Sequence, residues 1–227
     1  MSDTDSFIDE VTEEVRRDRL FALMKRYGWI AVLVVLLIVG GAGYREYKLA
    51  SDRAKAEALG DGMLAALENN ESPARIAALA EVETDSAAGR AVAQMLRVGE
   101  MIRNGDEGDA IPLLDALATD ADLPQTYRQM AGFKALLLKS KDMEPAARKT
   151  AIEGFIQSGG PLRLFAEEQM ALAELDAGEA DAAMARLQRI LQDAETTGGL
   201  RRRASQLIVA LGGTPEVPAN DAGASGQ

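Results

Sequence analysis

The chain of 227 residues contains no cysteine and no histidine. This absence excludes disulfide bonds, thiolate nucleophiles and histidine general bases, and it removes the usual ligands of a zinc site. Aromatic residues make up only 4% of the sequence, so few large side chains can fill gaps in a core. Such a chain, rich in alanine and leucine, buries area chiefly by close packing of helices. The composition therefore predicts an all-α protein without cofactor or metal.

Charge is unevenly distributed along the chain, whose net charge is −11. Residues 1–55 carry nine acidic and nine basic side chains, whereas the remaining residues carry 27 acidic and 16 basic ones, a difference of −11. An acidic domain repels nucleic-acid phosphates, so nucleic acid is not an expected partner. Arg201, Arg202 and Arg203 form the local exception, which we interpret as a solvated helix start or a salt-bridging face.

An uncharged stretch of eighteen residues lies at 27–44, between Arg26 and Arg45. As a helix it would cover about 27 Å, close to the thickness of a bilayer core, with tyrosine or tryptophan near each end. We therefore expect a single transmembrane helix at 27–44, in contact with membrane lipid. A buried core helix and a cleaved signal peptide, with 40–43 as a small-residue cleavage region, are the two alternatives.

The flanking charges give the expected orientation of this helix. Five basic residues precede it closely and four follow it, a small bias that favours a cytoplasmic N-terminus. The expected organisation is a cytoplasmic amphipathic arm at 1–26, the transmembrane helix at 27–44, an exported helical domain at 45–211 and a disordered tail at 212–227. The tail is predicted from its low content of apolar residues other than alanine and its abundance of glycine, proline and alanine.

The domain contains an internal repeat. Asn69, Gly105, Asp142 and Gly178 are spaced by 36, 37 and 36 residues, and a small residue follows five positions after each. We interpret each unit as two helices joined by a tight turn, with the anchor residue in a left-handed conformation. Prolines mark several helix starts. Units of this length bury their apolar faces only by stacking, which predicts an α-solenoid of helical hairpins closed by a last helix at about 199–211.

Two of these anchor pairs, Gly105 with Ala110 and Gly178 with Ala183, resemble tetratricopeptide repeats. The aromatic and Leu-Gly positions of that repeat's first helix are largely missing. The whole layout, and above all SFIDEVTEEVRRDRLFALMKRYGW at 6–29, resembles the YfgM-type family of single-span tetratricopeptide proteins, over about 1–211. The resemblance implies a bacterial inner-membrane protein with a periplasmic domain. It also implies an ancillary subunit of the Sec translocon that works with periplasmic chaperones on emerging, unfolded client polypeptides.

Three functions follow from these patterns. The first is a membrane-tethered, non-enzymatic scaffold, whose protein-binding residues the sequence does not assign. The second is a tethered repeat subunit of another envelope complex, such as cytochrome maturation or cell-wall assembly machinery. The third is an enzyme, for which the candidate groups are few, and neighbouring carboxylates on one helix do not face each other across a cleft. These groups are Glu167 with Glu168, Asp106 with Asp109, and Ser140 between Lys139 and Lys141.

Overall fold

The first helix, α1, is Asp3–Leu67. The structure, a computed structural model, describes the backbone of residues 3–216 and the side chains of 25–216 apart from Gly28 and Ala31. The predicted arm at 1–26 thus falls largely within α1, but its amphipathic side chains up to position 24 lie outside the described residues. Residues 217–227 of the predicted tail also lie outside them.

The predicted transmembrane helix at 27–44 is wrong, and with it the predicted single-pass location in the bacterial inner membrane. Within the described part of the chain, no helix is long and apolar enough to cross a membrane. The strongly apolar run covers only 30–39, ten residues or about 15 Å of helix, and the glycines at 40, 41 and 43 follow it directly. A bilayer core requires about 20 predominantly apolar residues.

The chain divides into two compact units, residues 1–60 and residues 61–227. The first unit, as far as it is described, is helical throughout. The second contains the end of α1 and eight further α-helices, and it has no β-strand among its described residues. These helices are α2 Ser72–Ala80, α3 Ala87–Asn104, α4 Glu107–Thr119, α5 Gln125–Lys139, α6 Pro145–Ser158, α7 Arg163–Asp176, α8 Ala180–Gln192 and α9 Gly198–Ala210.

Consecutive helices from α2 to α9 pack against one another, and α3 also contacts α5 in the next hairpin. This arrangement is consistent with the predicted α-solenoid. In each hairpin we refer to α3, α5 and α7 as first helices and to α4, α6 and α8 as second helices. The final helix, α9, begins at Gly198, one residue before the predicted start of the last helix.

The two anchor glycines have the predicted left-handed backbone. Gly105 follows α3 with φ 89°, and Gly178 lies between α7 and α8 with φ 79°. Beyond each glycine, a backbone N–H returns to a carbonyl five residues earlier, as in a Schellman motif: that of Asp106 to Met101 and that of Glu179 to Glu174. Only glycine adopts such a φ without a Cβ penalty.

The same expectation is wrong for Asn69 and Asp142, since no described residue other than glycine has a positive φ. The Asn69 side chain instead donates a hydrogen bond to the Ala66 carbonyl at 2.8 Å. Asp142 ends a single 3₁₀ turn, Ser140–Asp142, that follows α5 directly. Both turns satisfy the carbonyls at the end of the preceding helix without a left-handed residue.

Three apolar clusters, each built from three helices, form the core of the second unit. The first joins α3, α4 and α5 around Leu114, and the next joins α5, α6 and α7 around Ile152. The last joins α7, α8 and α9 around Leu187. Because α5 and α7 each belong to two clusters, the core is continuous along the stack, as expected for repeats that bury their faces against neighbours.

Alanines occupy the closest contacts between these helices. Ala110 and Ala183, the small residues predicted five positions after the anchors, are both fully buried, which confirms that part of the repeat. Seven more alanines of the first and last helices are at most 1% exposed: Ala91, Ala93, Ala131, Ala166, Ala171, Ala173 and Ala204. A methyl side chain lets helix backbones approach closely, which explains how a chain poor in aromatics forms a core.

Candidate polypeptide-binding surface

Three large apolar side chains lie partly exposed on successive first helices. Val92 on α3 and Met130 on α5 are each 39% exposed, and Phe165 on α7 is 37% exposed. They precede the anchors at 105, 142 and 178 by thirteen, twelve and thirteen residues. The three residues therefore lie within one residue of the same position of the repeat, on helices whose other large apolar side chains are mostly in the core.

One leucine extends this surface along its helix. Leu172 on α7 is half-buried and lies seven residues after Phe165, hence on the same helix face two turns further on. The corresponding residue of α5, Leu137, packs against the core cluster around Ile152. We call Val92, Met130, Phe165 and Leu172 the apolar stripe. On α3 the corresponding position is Gly99, so the stripe is narrower there.

Phe165 faces away from α8, the second helix of its hairpin. Glu174 lies nine residues after Phe165 on α7, and at about 100° per residue it is on the opposite face of that helix. The carboxylate of Glu174 binds the guanidinium of Arg186 on α8, with Arg186 Nη2 2.6 Å from Oε1. The second helix of this hairpin thus covers the back of α7 and leaves the stripe uncovered by α8.

Arg186 also binds Glu167, the neighbouring carboxylate on α7. Hydrogen bonding to Glu174 first, and then to Glu167, raises the pKa of the Arg186 guanidinium above its ordinary value. Two carboxylates therefore share one fixed positive charge between α7 and α8, and Glu174 is only 6% exposed. This arrangement holds the orientation of α7 and hence that of Phe165.

Glu168 borders the stripe on the side of the next repeat. Its Oε1 and Oε2 accept hydrogen bonds from Nε and Nη2 of Arg203 on α9, at 2.7 and 2.8 Å. This bidentate pair raises the pKa of Arg203 above its ordinary value. Arg203 confirms the salt-bridging interpretation of the arginine run, which occupies the first part of α9.

The enzyme candidates are held in ion pairs or backbone hydrogen bonds. Glu167 and Glu168 bind arginines of two different helices, α8 and α9. Ser140 Oγ donates to the Leu137 carbonyl at 2.7 Å. The flanking lysines bind acids of the preceding hairpin, Lys139 with Asp115 and Lys141 with Glu107. Asp106 accepts from the Asn104 amide at 2.7 Å, and Asp109 lies in the first turn of α4. The structure does not bring these groups together.

Ion pairs also join neighbouring hairpins. The pairs that join neighbouring hairpins or α9 are Glu107 with Lys141 (2.6 Å), Asp115 with Lys139 (2.7 Å), Asp176 with Arg148 (2.5 Å), Glu179 with Lys149 (2.6 Å) and Glu168 with Arg203 (2.7 Å). Within the described residues, no group of three acidic side chains is placed to hold a metal ion.

Sequence reasoning assigned no protein-binding residues, and the apolar stripe is the candidate surface that the structure adds. Part of its signal was present in the repeat, because Phe165 has the same offset from its anchor as Val92, and Met130 is one residue out of that register. Helical periodicity alone does not separate such residues from core residues, since Phe133, three residues after Met130, is buried. The comparisons add no relative: no protein-family model, curated protein or solved structure matches this chain.

Proposed function

We propose that this protein is a non-enzymatic helical-repeat scaffold that binds an unfolded polypeptide segment on the apolar stripe. The observation that carries the proposal is the recurrence of a partly exposed large apolar residue, Val92, Met130 or Phe165, in the first helix of three successive hairpins. Repeat proteins present one such position per unit, so an extended segment can contact several in turn. Exposed apolar side chains in register are typical of an interaction surface rather than of scattered surface residues.

Charge supports a polypeptide as the ligand. The net charge of residues 56–227 is −11, which disfavours phosphate-bearing ligands. Lys134 lies four residues after Met130, and Gln169 lies four residues after Phe165. Both are half-buried, and each adds one polar group to the face of its helix that carries the stripe. An apolar face with a few hydrogen-bonding groups suits a segment that has both apolar side chains and free backbone groups.

The resemblance of the arm at 6–29 supports Sec translocon subunits as one partner, with a chaperone or an emerging client polypeptide as the other. A repeat subunit of a different envelope complex is the alternative, because it would use the same kind of surface. The two are distinguished by in-cell crosslinking followed by affinity purification. Recovery of translocon subunits supports the first, and recovery of cytochrome maturation or cell-wall assembly proteins in their place supports the second.

The binding surface is tested with a labelled, reduced and carboxymethylated lactalbumin as the unfolded polypeptide. We expect Phe165→Asp to raise the Kd by about tenfold or more, because truncation or charging of a central apolar contact typically costs over 1 kcal/mol. Met130→Asp should act in the same direction. Fluorescence anisotropy with the full chain measures the Kd.

The matched control is Ala182→Asp on α8, an exposed residue outside the stripe. It should leave the Kd unchanged, and circular dichroism should show the same helix content for all variants. If the wild-type chain binds the unfolded polypeptide and Phe165→Asp binds it equally well, the apolar stripe is not the site. If the wild type does not bind it, the scaffold function proposed here is wrong.

A further inference from the structure

The part of α1 that precedes the second unit has an uncovered surface. Residues 1–60 form a unit of their own, and every described residue from 25 to 58 is exposed apart from Ser51, which is half-buried. Large apolar side chains are among them: Leu37, Tyr44 and Tyr47 are 66%, 70% and 72% exposed. A single helix cannot bury these side chains by itself, and an exposed apolar surface of this extent is typical of an interaction site.

One face of this helix is free of charge well beyond the apolar run at 30–39. Its residues are spaced alternately by four and three, and we call them the α1 seam: Gly40, Tyr44, Tyr47, Ser51, Ala54 and Ala58. The same spacing leads back to Leu37 and Leu33. Between 44 and 58 seven side chains are charged, and none of them lies on the seam. Water accommodates charge on every face of a helix, so one uncharged face indicates packing along that face.

The period of the α1 seam indicates another helix as its partner. Spacings of three and four average 3.5 residues, the period with which two α-helices stay in contact by supercoiling around each other. A second copy of this chain presents the same period over the same length. Two tyrosines, two leucines and the small residues between them would bury on the order of 800 Å² per copy, the size of a standard stable interface.

The charged residues beside the α1 seam make it complementary to itself in one direction. Lys48 and Lys55 lie on one border, each directly after a seam residue. Glu46 and Glu57 lie on the other, each directly before a seam residue, together with Arg53, so the borders carry +2 and −1. In a parallel pair each border faces the opposite border of the other helix, whereas an antiparallel pair brings the two lysine borders together.

We propose that two copies of this chain associate in parallel along the α1 seam. The second copy is the occupant because the face is self-complementary in period and in charge and is large enough for a stable dimer. The pairing uses residues of the first unit only and does not depend on the proposed function. If that function holds, the dimer carries two apolar stripes, so that one polypeptide can be bound by both copies with increased avidity.

The parallel pair is tested by crosslinking in the full chain, which contains no cysteine of its own. Ala54→Cys places a thiol on the seam, and Ala56→Cys, also exposed, is the matched control on the opposite face of the helix. After oxidation with copper phenanthroline, we expect on the order of tenfold more disulfide-linked dimer for Ala54→Cys, because only its thiols come within bonding distance.

Tyr47→Cys should give linked dimers as readily as Ala54→Cys. A parallel pair brings equal residues together all along the seam, whereas an antiparallel pair does so at one level at most. Equal linking of Ala54→Cys and Ala56→Cys would show non-specific association through the apolar run and would overturn the proposal. Linking at neither position, or at only one of positions 47 and 54, would overturn it as well.

Sedimentation equilibrium of the unmodified chain measures the dimer Kd. Tyr47→Asp should raise this Kd tenfold or more, since it charges the centre of the seam, roughly the effect of losing a central apolar contact. Leu49→Asp, on the opposite face, is the control and should leave it unchanged, and circular dichroism should show the same helix content for all variants. A wild-type chain that sediments as a monomer throughout, or equal Kd values for the two variants, would contradict the α1 seam.

The direction of the pair is tested by reversing charge at its borders. Lys48→Glu faces the Glu46 of the other copy and should raise the dimer Kd about threefold to tenfold, because two exposed ion pairs are lost per dimer. Adding Glu46→Lys exchanges the two charges and should restore the wild-type Kd. An unchanged Kd for Lys48→Glu, or a double variant as weak as the single one, would overturn the parallel arrangement.

Discussion

The carboxylate of Glu100 on α3, only 1% exposed, is bound by the guanidinium of Arg75 on α2 with Nε 2.7 Å from Oε2. Arg103 binds its other oxygen at 2.5 Å. Arg75 also donates to the carbonyls of Asn69 and Asn70, each at 2.9 Å. Two arginines therefore compensate the buried charge, and the more buried of them, Arg75, also fixes the turn between α1 and α2.

Arg75→Ala should destabilise the second unit by about 3–5 kcal/mol, because it leaves the Glu100 carboxylate buried with a largely exposed partner. Urea unfolding followed by circular dichroism measures the loss. Lys141→Ala is the control: its pair with Glu107 is exposed, and such pairs contribute about 1 kcal/mol or less. Similar losses for the two variants would mean that Arg75 does not compensate a buried charge.

Ala183→Leu tests the close contact at the start of α8. Ala183 is fully buried, so a leucine would overpack the hairpin at a cost of about 1–3 kcal/mol. The neighbouring Ala182 is exposed, and Ala182→Leu should change the unfolding free energy little. Thermal and urea unfolding of the two variants provide the comparison. A wild-type stability for Ala183→Leu would show that the helices do not meet at this residue.

A pair of glycine variants should have opposite effects. Gly105→Ala places a Cβ at φ 89° and should cost about 1–2 kcal/mol. Gly108→Ala lies inside α4, where a Cβ meets nothing within 4 Å, and should stabilise by about 0.4–1 kcal/mol. Urea unfolding of the wild type and of both variants measures the sign of each change in the free energy of unfolding. The same sign for both would contradict the left-handed turn at Gly105.

Stability against acid should depend on Asp193. The Arg163 guanidinium, and then the backbone N–H of Glu195, hold the pKa of the Asp193 carboxyl below its ordinary value. A carboxyl whose pKa is lowered by folding stabilises the protein above the unfolded pKa, about 3.9 for Asp. This stabilisation is lost as the pH falls through the folded pKa.

The wild type should therefore be more stable than Asp193→Asn at pH 7, and the difference should shrink below about pH 4. Urea unfolding from pH 7 to pH 2.5 measures the difference in the free energy of unfolding. Asp181→Asn on α8, an exposed aspartate, is the control and should give a difference that is small at every pH. A difference for Asp193→Asn that does not change with pH would contradict the ion pair with Arg163.

Much of the helical architecture was predictable from local chemistry. Glycine at 105 and 178, with alanine five residues on, predicts a left-handed turn and a close contact, and both are found. Pro73 and Pro145 lie in the first turns of α2 and α6, as predicted. These features depend on the backbone preferences of single residues, which act over one or two turns of helix.

The predicted membrane span shows where local patterns failed. An uncharged stretch of bilayer length with aromatics near both ends predicts a span at 27–44, but the strongly apolar run is only 30–39. The predicted left-handed conformation of Asn69 and Asp142 was wrong for a related reason. The spacing of the repeat identified the turns, but side-chain hydrogen bonding and a 3₁₀ turn, respectively, replaced the left-handed conformation.

The sequence by itself determined that the second unit is a series of helices with turns at nearly constant spacing, because turn and packing preferences belong to individual residues. Only the tertiary structure decided which apolar residues of the first helices remain exposed, since burial depends on neighbours that belong to other helices. The same holds for Arg75 with Glu100 and for Arg203 with Glu168. Each of these contacts joins groups that no local sequence pattern pairs, so the packing of the whole stack determines the contact.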